Sequence, residues 1–259
     1  AARRLRSTQR VALSGTPVEN RLGELWALLD WANPGMLGSR ESFRHRYSKP
    51  IERGDDSPAA NEAAQRLRAI TKPFVLRRTK ADRTLLPDLP DKIEQIAYAG
   101  LTREQGVLYQ KVVDELLAEA DQHEGMKRRA LVLGAITRLK QICNHPAQAL
   151  GDDSRIEGRS GKLTRFDELI DSIVENGDRA LVFTQFVAMG NLLQRHLAAR
   201  RGWQVPFLEG SVAKRRRDEM VARFQGGGGP PVLLISLRAG GTGLNLTAAS
   251  QVIHYDRWW

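Results

Sequence analysis

From Gly161 onward the chain alternates helix and strand in a regular beat, and nothing else in it restricts the fold as much. SGKL, Ser160 to Leu163, opens a helix carried by Phe166, Leu169, Ile170 and Ile173. Ala180 to Phe183 is a short apolar run of strand type, and Met189, Leu193 and Leu197 then recur at helical spacing. Val205 to Leu208 is a second strand. Met220 and Phe224 mark a helix that stops at the Gly226–Gly229 and Pro230–Pro231 break. Val232 to Ile235 is a third, buried strand, and Val252, Ile253 and Tyr255 predict a fourth that ends at Asp256 and Arg257. Strands separated by helices pair in parallel through right-handed crossovers, so the fold class is α/β with a parallel sheet. In such sheets ligands meet the loops at the carboxyl ends of the strands.

The loop after the Val232 run is the richest of these. It reads Ser236, Arg238, Gly240, Gly241, Thr242, Gly243, Leu244 and Asn245. Three glycines within four residues let the backbone turn sharply, and successive N–H groups in such a turn can face an anion. The loop is not a dinucleotide fingerprint, because Leu246 stands at the third glycine position and no helix start follows. The residues alone leave a plain connecting loop open as well.

Charge narrows the partners. Forty Lys and Arg against thirty Asp and Glu give a formal charge of +10 over 259 residues, an excess that attracts polyanions, and nucleic acid is the commonest. The basic residues cluster: Arg3, Arg4, Arg6 and Arg10; Arg77, Arg78, Lys80 and Arg83; Lys127 to Arg129; Lys214 to Arg217. No apolar run is long enough to span a membrane, and AARRLRSTQR lacks a signal-peptide core. The single Cys143 excludes an internal disulfide; with His145 it makes two ligands, too few for zinc, and it is expected to be a core thiol.

Before Gly161 the pattern is helical. Val11 to Leu13 predicts a strand running into SGTP, with Pro17 at the first position of a helix through Val18, Leu22, Leu25, Trp26 and Leu29. Asn33, Pro34 and Gly35 stop it. Residues 36–71 predict short helices around the polar loop ERGDDSPAAN, and PFVLRRTKADRTLLPDLPDK predicts a linker or brace, because Pro87 and Pro90 deny it regular helix. Thr102 and Gln105 predict a capping box. It opens a helix through Leu108, Val112, Leu116 and Ala120, paired as a hairpin with a second helix through Leu131, Ala135, Ile136, Leu139 and Ile142. From His145 to Ser160 the composition turns to Pro, Gly, Asp and Ser, which predicts a domain boundary or long loop.

Several of these phrases resemble one family. SLRAGGTGLNLTAAS followed by VIHYDRWW is similar to the fifth motif of the Swi/Snf family, the DNA-translocating ATPases of helicase superfamily two. ALSGTPVENRLGELWALLDWANPG resembles the third motif, with Ser14 where many members have Thr; RLKQICNHP, LVFTQF and LEGSVAKRRRDEMVARFQ are further family-like phrases. The resemblance implies the end of a first RecA-like lobe at 1–35, a helical insertion and inter-lobe brace at 36–100, a hairpin insertion at 101–150 and an incomplete second RecA-like lobe at 151–259. It implies that Ser14, Gly15, Thr16, Asp256, Arg257 and Trp258 couple nucleotide state to DNA. Thr184, Gln185, Arg217, Ser236, Arg238, Gly240, Gly241 and Thr242 would lie along the DNA backbone, and Gly243, Leu244 and Asn245 would border the nucleotide, with Asn245 near the ribose.

Much of the hydrolytic apparatus is not in this sequence. It contains no G-x-x-x-x-G-K-[ST]: ahead of Gly161–Lys162 the first glycine position holds Ile156, and Leu163 stands where the hydroxyl should be. The Asp-Glu pairs at Asp114, Asp167 and Asp218 fall in helical patterns and are expected on solvated faces. The family's sixth motif, with its arginine fingers, would begin past Trp259. The expectation is a segment inactive alone, working with ATP and Mg2+ alongside first-lobe residues of the same polypeptide. Double-stranded DNA is the implied partner, gripped by its backbone and pumped without strand separation; RNA polymerase or another DNA-bound protein is a further one. The compact insertions fit the bacterial RapA-like or HepA-like branch, and hence a cytoplasmic protein at the nucleoid. Two other readings stay open: a stand-alone basic nucleic-acid-binding module, and an α/β enzyme for phosphorylated metabolites.

Overall fold

The computed structural model describes residues 7–18, 21–54, 57–78, 91–120, 122–239 and 244–257. The chain forms two compact units, Ala1–Ile93 and Glu94–Trp259.

In the first unit, α1 (Leu22–Ala32) ends on Asn33 as the Asn-Pro-Gly sequence predicts. Ser39 caps α2 (Arg40–Phe43), which runs through a π turn at Arg44–Ser48 into α3 (Lys49–Glu52). Ser57 and Pro58 open α4 (Pro58–Thr71), whose Ala60, Ala63, Leu67 and Thr71 are buried at helical spacing. The core of this unit is small: Leu29, Leu37, Phe43 and Leu67. Two expectations fail here. Val11 to Leu13 is not a strand; the run is irregular, and Val11 and Leu13 are 77% and 95% exposed. A strand needs a neighbour for its backbone groups, and none of the described residues pairs with it. Pro17 does not open the helix either, since α1 begins five residues later.

The second unit starts with the hairpin. Thr102 and Gln105 form the reciprocal capping box, with Thr102 N donating to Gln105 Oε1 at 3.0 Å and Gln105 N to Thr102 Oγ1 at 3.2 Å. It opens α5 (Arg103–Ala120), which packs against α6 (Gly125–Asn144). Along the apolar stripes of the two helices Val112 and Ile142 are buried, and the other residues are half-buried. Cys143 is half-buried, and burial pushes its thiol pKa up.

The stretch from His145 to Ser160 holds α7 (Pro146–Leu150) and an irregular return, and it is bonded into the second unit at both ends. His145 caps α7, and Ser160 Oγ donates to the Asn144 carbonyl at 2.7 Å. Then come α8 (Gly161–Glu175), β1 (Ala180–Thr184), α9 (Val187–Arg201), β2 (Phe207–Leu208), α10 (Lys214–Gln225), β3 (Val232–Ser236) and β4 (Gln251–His254). The sheet is wholly parallel in the order β2-β3-β1-β4.

Alternation along the strands sorts the core into two layers. Ala180, Val182, Val232, Leu234 and Phe207 face α8 and α9. Leu181, Leu233, Ile235 and Leu208 face Phe224 of α10 and the segment carrying Leu244, Leu246, Ala248 and Ala249. Gly190 on α9 lies so close to the Phe207 ring that a Cβ there would overlap it. Asp167, expected on a solvated face, is buried instead. Its carboxylate takes His196 Nε2 at 2.8 and 3.0 Å, with Arg200 Nη1 at 3.7 Å, so it joins α8 to α9.

Candidate functional site

Register brings three strand ends to one edge. Thr184 lies opposite Ser236 across the β1–β3 pair, and Phe183 opposite His254 across β1–β4. The ladder continues one step into each outgoing segment: Leu237 N donates to the Thr184 carbonyl and Tyr255 N to the Phe183 carbonyl, both at 2.9 Å. The segments starting at Gln185, Leu237 and Tyr255 therefore leave side by side, where open α/β sheets place their ligands.

Asp256 ties this edge together. It is 4% exposed, and its carboxylate accepts from Thr184 Oγ1 at 2.6 Å, Gln185 N at 2.7 Å and Asn144 Nδ2 at 3.1 Å. A buried carboxylate is tolerable only when its lone pairs are filled in this way. Next to it the Arg257 carbonyl accepts from Lys140 Nζ at 3.1 Å and Gln185 Nε2 at 3.4 Å. The turn after β4 is thus fastened to the turn after β1 and to the last turn of α6.

The Gly-rich loop is held at its returning limb. Leu244 is half-buried against the second apolar layer, and Gln225 of α10 binds Thr247 Oγ1 at 3.0 Å and Ala248 N at 2.9 Å. Asn245 is left exposed between these anchors, and Arg238 is exposed on the outgoing limb. Gly240, Gly241, Thr242, Gly243 and Trp258 lie outside the described residues.

The residues expected along DNA divide. Gln185 and Arg238 sit at the edge with their side chains half-buried and exposed. Thr184 and Ser236 are instead 0% and 2% exposed, so neither side chain presents a surface to a phosphate. Thr184 faces inward because its hydroxyl has Asp256 to satisfy. Arg217 is also turned inward: its Nη2 donates to the Glu209 and Val212 carbonyls at 3.4 and 3.3 Å, tying α10 to the preceding turn, while Arg215 projects into solvent. Ser14, Gly15 and Thr16 belong to the first unit, where they are exposed and joined by Thr16 N to Ser14 Oγ at 3.1 Å.

Sequence reasoning did not assign the residues that build the underside of the edge. Asn144 is fully buried between Lys162 and Asp256. Gln105 is equally buried and uses its whole amide: Nε2 donates to the Ile142 and Cys143 carbonyls at 2.8 and 3.2 Å, and Oε1 accepts from Gly161 N at 3.2 Å as well as from Thr102 N. The signals were present, since Asn144 lies in RLKQICNHP and Lys162 in SGKL. Lys162 draws attention as a failed phosphate cradle, and its real use is internal. Burial pushes its pKa down, opposed by Cys143 and Asp256.

Residues 1–148 match the family described as SNF2-related domain, and residues 161–259 match the helicase conserved C-terminal domain. Over its whole length the chain is 45% identical to YwqA of Bacillus subtilis, of which it covers 28%. It is 33% identical, over 99% of its length, to the mouse SWI/SNF-related matrix-associated actin-dependent regulator of chromatin subfamily A member 1, covering 25% of that protein. The chain thus spans about a quarter of the length of these curated relatives. Among solved structures it is similar to the Sulfolobus solfataricus SWI2/SNF2 ATPase core in complex with dsDNA, with a TM-score of 0.62 and 40% identity over 100% of this chain and 54% of that one. The C-terminal domain of the same ATPase matches 65% of this chain at a TM-score of 0.61, with 74% of that domain covered.

Proposed function

This chain belongs to the SNF2-related family, and from that premise we propose that it forms part of an ATP-driven translocase on double-stranded DNA. In this reading residues 1–35 close a first RecA-like lobe, 36–100 and 101–150 are helical insertions with the inter-lobe brace, and 151–259 form the second lobe. The chain supplies DNA-backbone contacts and one wall of the nucleotide cleft. The phosphate-binding lysine, the magnesium carboxylates and the arginine fingers come from elsewhere in the same polypeptide, so this segment alone does not turn over ATP.

One observation carries the proposal: the parallel sheet delivers Gln185 and Arg238 to a single edge, with the Asp256–Arg257 turn bonded beneath it. Arg238, exposed beside the loop, suits a phosphate of the tracked strand. Asn245 offers an amide to a ribose hydroxyl of ATP, which arrives with its Mg2+ as substrate. No lysine occurs in residues 236–257, so the wall fits the sugar side of a nucleotide and not its terminal phosphate. Phosphate contacts act without reading bases, so binding is sequence-independent and weakens with salt. The setting is the bacterial cytoplasm, on nucleoid DNA or beside a DNA-bound polymerase.

The experiment is ATP turnover by the complete protein with and without duplex DNA, paired with DNA binding at several salt concentrations, for wild type and Arg238→Ala. Duplex DNA should stimulate wild-type turnover. Arg238→Ala should weaken binding to all sequences alike and reduce the salt slope by about 1. Salt-sensitive binding without any turnover would favour the binding-module reading, and no salt-sensitive binding would favour the metabolite enzyme.

A further inference from the structure

Asn144 closes α6, and every polar group beyond its N–H is engaged outside the helix. Its side-chain Oδ1 accepts from Lys162 Nζ at 2.8 Å and its Nδ2 donates to Asp256 Oδ2 at 3.1 Å. Its carbonyl accepts from Ser160 Oγ at 2.7 Å and Tyr255 OH at 3.2 Å. An amide is the side chain that fits here: it presents an acceptor to the ammonium and a donor to the carboxylate. Aspartate would set a carboxylate against Asp256, and leucine would leave a half-buried ammonium and a buried carboxylate each short of a partner.

The same turn of α6 makes a second contact with the same target, because Lys140 Nζ donates to the Arg257 carbonyl at 3.1 Å. On its other side the end of α6 is immobilised. Gln105 holds the Ile142 and Cys143 carbonyls and Gly161 N in one amide, and a Cβ on Gly161 would overlap the Gly100 carbonyl. Lys162 is itself confined, with Nζ 5.6 Å from the Tyr255 ring centroid. The foot of the hairpin is therefore a rigid bracket with two arms, Lys140 and Asn144, gripping the turn after β4. Apolar packing would hold α6 against the sheet just as firmly. A chain of Lys162, Asn144 and Asp256 fixes in addition the direction of a carboxylate and, through it, the Gln185 N–H and the Thr184 hydroxyl.

We infer that Asn144, backed by Lys162, is a positioning residue that sets the geometry of the Asp256–Arg257 turn and so links DNA engagement to ATP turnover. This rests on the translocase reading above. Asn144 and Lys162 touch neither ligand in it; they act through Asp256.

The test is made on the complete protein with Asn144→Ala, Lys162→Gln and Lys162→Arg. It measures turnover with saturating duplex DNA and without it, Kd for DNA, and the thermal midpoint. In Asn144→Ala and Lys162→Gln the DNA-stimulated kcat should fall about tenfold, while DNA-independent turnover and Kd change less than about twofold. Lys162→Arg, which keeps the charge and the donor, should recover at least about half of the stimulation. A purely structural role would lower both rates together with the thermal midpoint, and that result overturns the inference. If Asn144→Ala fails to fold, Lys162→Gln decides: stimulation as in wild type overturns the inference, and selective loss supports it. Wild type without any DNA stimulation overturns the translocase reading and this inference with it. Stimulated wild type beside an equally stimulated Lys162→Gln removes the inference alone.

Discussion

Two groups of motif residues sit in opposite physical states. Ser14, Gly15 and Thr16 in the first unit are exposed, joined among the described residues by a local hydrogen bond from Thr16 N to Ser14 Oγ. Thr184, Gln185 and Asp256 in the second unit are cross-linked by short bonds spanning more than seventy residues of sequence, with Thr184 and Asp256 buried. Both groups were found by the same means, as phrases of polar residues following an apolar run. The difference lies in what the run does next. Ala180 to Thr184 finds strands on both sides, so its outgoing turn is set against two others; Val11 to Leu13 pairs with none of the described residues. A polar phrase becomes a built site when a sheet places it beside its partners.

The comparison is broken most forcefully at Asp256. If its bonds organise the edge, Asp256→Ala removes the shared acceptor of Thr184 Oγ1, Gln185 N and Asn144 Nδ2. The cost should be about 3–5 kcal/mol, the range for removing one partner of a buried charged network. Hydrogen exchange of the β1 and β4 amides should accelerate accordingly, while α1 to α4 exchange as before. A loss under about 1 kcal/mol would mean that the edge is organised by the apolar layers alone.

How much of this could be read in the sequence follows from the same physics. The four strands of the sheet were legible because apolar runs bounded by Gly, Pro and charge leave few alternatives, and the Thr102–Gln105 capping box was legible because it is local. β2 is shorter than the run Val205–Leu208 predicts, since Pro206 has no N–H to give a ladder. The inward turn of Thr184 and Ser236 was not legible: a hydroxyl at a strand end looks the same whether it meets solvent or a carboxylate 72 residues away. Asp167 was misplaced for the same reason, because helical spacing locates its face but not His196 on the next helix. Arg217 resembled a phosphate ligand by position, and only coordinates reveal the carbonyls of Glu209 and Val212 beneath its guanidinium. Local patterns are written in the chain, and pairings across it are written only in the fold.

A smaller effect sharpens the contrast from the acid side. His145 is fully buried; its Nδ1 accepts from Ala147 N at 3.0 Å, so the proton sits on Nε2, which donates to the Ile156 carbonyl at 2.8 Å. Burial pushes its pKa below the ordinary 6.5, helped by Arg159 and His196 and opposed by the Ile156 bond and Glu104. The unfolded chain then binds the proton more readily than the folded one, so stability is retained above about pH 6.5 and lost as pH falls below it. Protonation also removes the acceptor that caps α7. Urea midpoints of the second unit should decline from pH 7.5 to pH 5.5, and His145→Asn should flatten that decline. Equal slopes in the two proteins would assign the acid sensitivity to other groups.

The smallest expected effect is the most discriminating. Ser14→Ala removes one exposed hydrogen bond to Thr16 N, and surface changes of this kind stay within about 0.5 kcal/mol. Its effect on stability should be undetectable by urea unfolding. If Ser14 to Thr16 relay nucleotide state, as the family resemblance implies, the same variant should still lower DNA-stimulated turnover in the complete protein. Asp256 gives the opposite signature, since stability and stimulation should fall together there. A Ser14→Ala variant that loses stability would show that the phrase is bonded in the complete protein much as Thr184 is, and the two groups would then differ only in where their partners lie. A variant silent in both measurements would leave SGTP as a turn and take the relay role away from it.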